Sequence, residues 1–274
     1  MSVNSGLHSF VDVRRTNRPR QATDSRAVYL ANLERKLNAP SLHVYVADRG
    51  PLFYRDYRKV ADTLEAGLFL SALKETLSRL PTSSSFRESH FGEIVAGIFA
   101  EEVLGLRRLY SKLSLLTAEN ANAYKMDLVM YDPQTEPVEF TFCEVKSSCK
   151  HANDGLPPRH DTSCYADIFN SLNKYGDSDL DFDLTAARDH VDRIAEPERA
   201  KVRAALLPYG ARIVKYLAFA IIDTTTLDQS EVAILGSRKN KKTFDVEVVS
   251  LADMKATAEN VYELLNRIRQ QCST

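Results

Sequence analysis

Residues 124–132 read Y-K-M-D-L-V-M-Y-D, residues 133–137 P-Q-T-E-P, and residues 138–150 V-E-F-T-F-C-E-V-K-S-S-C-K. Two short apolar runs flank a turn-rich break, and each carries charge where a strand is normally apolar. Period-2 alternation predicts that Phe140, Phe142, Glu144 and Lys146 share one strand face, with Thr141, Cys143 and Val145 on the other. By the same rule Lys125, Asp127, Val129 and Tyr131 share a face of the preceding strand. An acid and a base thus follow two phenylalanines onto a side expected to be buried. Burying such charges is costly unless a counter-charge or a metal compensates them. An aspartate on one strand and E-x-K on the next is the pattern of a metal-dependent phosphodiesterase site.

The sequence before this stretch predicts a helix. The run P-T-S-S-S-F-R-E ends with Ser85 and Glu88 at capping-box spacing, so a helix is expected from Phe86 to about Leu104. On a helical wheel Phe91, Ile94, Val95, Ile98 and Phe99 form an apolar stripe. Glu93 falls opposite, among Gly92, Ala96, Gly97 and Ala100. A face of small residues permits close approach to a sheet, yet the wheel by itself equally allows a solvent-exposed Glu93. Gly92 to Gly97 imitates the start of a phosphate-binding loop, but Ile98 and Phe99 stand where Lys and Ser/Thr are required. The expected order is then helix, strand (107–116), strand, strand.

The 274 residues are 44% hydrophobic and 27% charged, an ordinary globular composition. With 36 basic and 37 acidic residues the net charge is −1, so contact with nucleic acid has to come from local patches. Four irregularly spaced cysteines, no apolar leader and no membrane-length run predict a cytoplasmic protein with reduced thiols. The N-terminal residues 1–81 read as an appendage: a basic arm with Arg14, Arg15, Arg18 and Arg20, a short helix at 27–38, a strand at 41–47, and a helical pattern from 55 to Pro81. Residues 82–274 read as the catalytic unit.

After Lys150, the Cys149, His151, His160 and Cys164 spacing matches no zinc arrangement. D-S-D-L-D-F-D (177–183) lacks the glycine and glutamate of a calcium loop and reads as a solvated acidic turn. Helical patterns cover 163–175 and 185–207, and 212–223 is a buried-strand run. R-K-N-K-K (238–242) reads as a basic hairpin between strands at 231–236 and 244–249, and a final amphipathic helix spans about 252–271. Lys125, Arg238, Lys239, Lys241 and Lys242 are the candidate phosphate-backbone contacts.

Together, F-G-E (91–93), S-K-L (111–113), M-D-L-V (126–129) and C-E-V-K (143–146) resemble the HamA family of Hachiman anti-phage defence, within the PD-(D/E)xK nuclease superfamily. The resemblance covers residues 86–150 closely and 212–223 loosely. Lys125-Met126 departs from it, standing where the pattern has a small residue before the aspartate. The resemblance implies an α/β, restriction-endonuclease-like mixed central sheet flanked by helices. It implies Glu93, Asp127, Glu144 and Lys146 as active-site residues, DNA as substrate, and a HamB-like superfamily 2 helicase as partner. The chemistry calls for Mg²⁺, with Mn²⁺ expected to substitute, held by Glu93, Asp127, Glu144 and the Val145 carbonyl. A stand-alone restriction-type endonuclease and a non-catalytic nuclease-fold subunit are the alternatives.

Overall fold

A computed structural model of the chain describes residues 11–15, 29–37, 42–55, 63, 65–116, 126–148, 164–223 and 242–272. Its centre is a mixed sheet of seven strands: β1 (Val11–Arg15), β2 (Tyr29–Leu37), β3 (Arg107–Ser111), β4 (Leu128–Asp132), β5 (Val138–Ser148), β6 (Arg212–Asp223) and β7 (Asp245–Leu251). The spatial order is β1-β2-β7-β6-β5-β4-β3. β5, β6, β7 and β2 run parallel to one another, β1 pairs antiparallel with β2 at one edge, and β3, β4 and β5 form an antiparallel meander at the other.

The alternation expected of β5 holds along its length and sorts the core into two layers. Cys143 and Val145 face an apolar layer with Leu128, Met130, Leu217, Phe219 and Ile221. Phe140 and Phe142 face the other, with Val129, Tyr131, Ala218, Ala220 and Ile222. Strands apolar on both faces need helices on both, as parallel sheets do. On the first face lie α1 (Leu42–Arg49), α2 (Pro51–Tyr54), α3 (Phe69–Leu77), α4 (Ser84–Glu102) and α8 (Met254–Gln271). On the second lie α5 (Cys164–Lys174), α6 (Asp177–His190) and α7 (Glu198–Ala205). Residues on both sides of position 81 contribute: β2 pairs with β7, and Leu42, Val46 and Phe53 share a core with Ile94 and Val261.

Several sequence expectations are corrected. Residues 29–37 are a strand where a helix was expected, and 42–49 are a helix where a strand was expected. In the second case Leu42, Val46 and Ala47 are the buried positions, a helical spacing that a seven-residue window hides behind alternation. Helix α4 starts earlier than Phe86: Ser83, not Ser85, is the cap, its hydroxyl accepting from Phe86 N at 3.4 Å. In a run of three serines the first to reach a free N–H sets the start. The strand expected over 107–116 ends at Ser111 and tightens into a 3₁₀ turn, Lys112–Leu115. The strand expected at 231–236 and most of the basic hairpin lie outside the described residues.

The acidic run 177–183 is the first half of α6, not a solvated turn. Asp179 Oδ2 accepts from Gly176 N at 2.9 Å and starts the helix, which turns Asp183 inward. Asp183 is fully buried; it accepts from Tyr110 Oη at 2.6 Å, Tyr175 Oη at 2.7 Å and Met126 N at 3.4 Å. One carboxylate therefore ties α6 to β3 and to the residue preceding Asp127. Asp183→Ala is expected to cost at least about 3 kcal/mol, because it orphans three buried donors at about 1–3 kcal/mol each. Urea unfolding monitored by circular dichroism checks this.

Candidate active site

The meander brings the charges of the sequence into one row. Ser111 pairs with Leu128, and Leu128 with Cys143, so the next positions along are Lys112, Asp127 and Glu144 on three adjacent segments. Backbone bonds continue the row one step past the ladder. Lys112 N donates to the Asp127 carbonyl at 2.8 Å, and Asp127 N to the Cys143 carbonyl at 3.0 Å. Asp127 sits where β4 begins, and its Oδ2 accepts from Val145 N at 2.6 Å. A strand residue points its N–H and C=O to the same side, so the Val145 carbonyl faces this end of β4 as well.

Glu93 reaches the row from α4 because that helix lies close to β5. A Cβ on Gly92 would meet Ser147 Cβ at 2.6 Å and its Oγ at 2.9 Å, so only glycine permits this approach. Gly92 therefore packs on the sheet, Gly97 faces the Phe53 ring of α2 instead, and Glu93 is buried, at 3% exposure. The apolar stripe opposite is buried too, since α4 is sandwiched between the sheet and α1, α2 and α8.

The five charged groups form two linked sets. Lys146 Nζ pairs with Glu144 Oε1 at 2.7 Å. Lys112 Nζ pairs with Asp127 Oδ1 and lies 4.0 Å from Glu93 Oε1. Glu93 Oε2 is buried without a hydrogen-bond partner. Burial, reinforced by Asp127, pushes the Glu93 carboxyl well above the ordinary carboxylate range, against the pull of Lys112. Burial and Asp127 raise Glu144 as well, opposed by Lys146. Both lysines resist the downward pull of burial because of the acids beside them: Glu144 and then Asp127 raise Lys146, and Asp127 and then Glu93 raise Lys112. Both lysines are therefore cations at neutral pH.

Behind Glu93, one turn earlier on α4, lies His90. Its Nδ1 is 2.9 Å from Tyr54 Oη, which is 2.9 Å from Tyr262 Oη. This buried chain joins α4 to α2 and α8. Burial, then the charge of Lys112, lowers His90 to about 4, so the ring is neutral where the lysine is charged.

All four expected catalytic residues, Glu93, Asp127, Glu144 and Lys146, converge here. Lys112 was not predicted as a site residue: its short S-K-L string was the only signal, and the strand reading through Leu116 gave no reason to turn its side chain inward. Among the described residues, no group of three His, Cys, Asp or Glu side chains is preassembled as a metal cage. The donors nevertheless suit a hard cation, which prefers carboxylate and carbonyl oxygens. An unpartnered carboxylate oxygen such as Glu93 Oε2 is costly to bury and is the feature a cation would satisfy. Of the candidate phosphate contacts, Lys125, Arg238, Lys239 and Lys241 lie outside the described residues. Lys242 stands with its ammonium 4.8 Å from the Tyr216 ring centroid and 5.6 Å from that of Tyr175. No helix among the described residues is long and apolar enough to cross a membrane.

The HamA family model matches residues 8–265, nearly the whole chain. A comparison with curated proteins finds no match.

Proposed function

We propose that this chain, which belongs to the HamA family, is a metal-dependent DNA nuclease, the effector of an anti-phage defence system controlled by a helicase partner. Family membership ties it to a nuclease role in Hachiman defence. The observation that carries the catalytic reading is the Lys112–Asp127–Glu144 row beside Glu93, with a buried carboxylate oxygen left without a partner.

Mg²⁺, with Mn²⁺ as a substitute, would be held by Glu93, Asp127, Glu144 and the Val145 carbonyl, and supplies Lewis-acid stabilisation of phosphoryl oxygens and an activated water. The chain's own groups do the rest. Val145 N–H fixes Asp127 Oδ2 and so aims the other oxygen into the site. Lys146 stays protonated through Glu144, which makes it a hydrogen-bond donor and counter-charge for a phosphate oxygen; it is not a base. Lys125, Arg238, Lys239, Lys241 and Lys242 are the positive groups proposed to hold the DNA backbone.

The test is cleavage of linear and supercoiled DNA by the purified chain, with and without a HamB-like superfamily 2 helicase, in Mg²⁺ or Mn²⁺ against EDTA. Cleavage that needs both metal and helicase is expected. Equal cleavage by the chain alone points to a stand-alone endonuclease. No cleavage in any combination overturns the enzymatic reading and leaves a nuclease-fold binding subunit.

A further inference from the structure

Three carboxylates, Glu93, Asp127 and Glu144, meet two ammonium groups in this site, and the two lysines are placed differently. Lys146 belongs to the E-x-K strand and pairs with Glu144, beside it on the same strand face. Lys112 comes from a separate segment and lies between acids of two other elements, on Asp127 Oδ1 and 4.0 Å from Glu93 Oε1. These are two of the side chains whose oxygens a divalent cation would need.

We propose that Lys112 is a tethered internal cation that holds Glu93 and Asp127 together in the metal-free protein and competes with a divalent metal ion for them. It thereby sets the metal concentration at which the site loads. This rests on the metal-dependent reading above. A buried carboxylate pair repels itself unless compensated, and an ammonium supplies that compensation without any metal. A divalent ion placed against the same oxygens is repelled by the ammonium, so loading requires Lys112 Nζ to leave Asp127 Oδ1.

The local architecture allows that departure without backbone movement. The turn carrying Lys112 is pinned: Lys112 N bonds to the Asp127 carbonyl at 2.8 Å, Leu113 N to Ser111 Oγ at 3.2 Å, and Ser114 Oγ to the Ser111 carbonyl at 2.7 Å. Leu113 and Ser114 are buried beneath it. The ammonium itself sits on a flexible four-carbon stem, 18% exposed, which can swing outward. The anchored turn also distinguishes Lys112 from a surface lysine that merely drifts onto an acid.

The experiment is a Mn²⁺ titration of the whole purified chain by calorimetry at pH 8, comparing wild type with Lys112→Met and Lys112→Arg. Lys112→Met is expected to bind Mn²⁺ at least tenfold more tightly than wild type, and Lys112→Arg no more tightly. A Lys112→Met affinity equal to or weaker than wild type overturns the competition while leaving the metal site standing. Absence of Mn²⁺ binding in all three chains overturns the metal reading and this inference together. Should Lys112→Met fail to fold, ¹³C-labelled lysine spectra of the wild type provide the same decision. The Lys112 Cε signal, assigned by its loss in Lys112→Arg, is expected to shift to that of a mobile lysine on Mg²⁺ saturation. An unchanged signal at saturation overturns the proposal.

Discussion

Glu144→Gln and Lys146→Met are each expected to lower DNA cleavage by at least about 10²-fold, the loss typical when one group that stabilises charge in the transition state is removed. The two act through one ion pair at 2.7 Å, so the double variant is expected to lose little more than the worse single one. That non-additivity separates this pair from two independent surface charges, whose effects would add. Folding should survive both changes. Lys146 is 31% exposed, and glutamine keeps the shape of Glu144 while removing a carboxylate that burial already disfavours. Steady-state cleavage rates, with melting temperatures as the folding control, check the expectation. Full activity in the double variant would remove E-x-K from the mechanism.

Gly92→Ala is the second large effect. A methyl group at this position would lie 2.6 Å from Ser147 Cβ, well inside carbon–carbon contact at about 3.5–4.0 Å. Two opposing terms decide the outcome. Alanine improves helix propensity by up to about 1 kcal/mol, whereas overpacking costs about 1–3 kcal/mol. The clashing atom is Cβ of a strand residue, which cannot rotate away, so the cost prevails and α4 must move off β5. Glu93, the next residue, moves with it, and a displacement near 1 Å is enough for about a 10²-fold loss of rate. Ser147→Gly removes the obstructing atoms. It is expected to restore much of the stability and activity in the Gly92→Ala background, as no generally destabilised helix would be. Cleavage assays and urea unfolding on the two single variants and the double variant check this.

Much of the site was legible because its information is local. The β4–β5 pair carries strict alternation broken only by charge, and that break is the site. Glu93 was less legible: a wheel describes one helix, and what decided its burial was Gly92 meeting Ser147 on a strand 55 positions later. Lys112 was missed because an apolar-looking segment conceals where a strand ends and a 3₁₀ turn begins. Asp183 was misread because its acidic neighbours masked Leu184 and Ala187, which mark the buried face of α6. Residues 29–37 show the remaining limit. Their leucines at 30, 33 and 37 suit a helix, and only pairing with β7, far away in sequence, makes them a strand.

That last pairing also sets an order of events at the ribosome. Strands β3, β4 and β5 occupy residues 107–148 and pair with their sequence neighbours, so the Lys112–Asp127–Glu144 row can form before the rest of the chain has been synthesised. β2 has to wait for β7 at residues 245–251, and Tyr262 reaches Tyr54 only when α8 is complete. β1 and β2 precede the other strands of this sheet in the chain, yet β2 is among the last to join it. A nascent chain carries the acids of its site before α8, which packs against the helix bearing Glu93 and follows β7 in the chain.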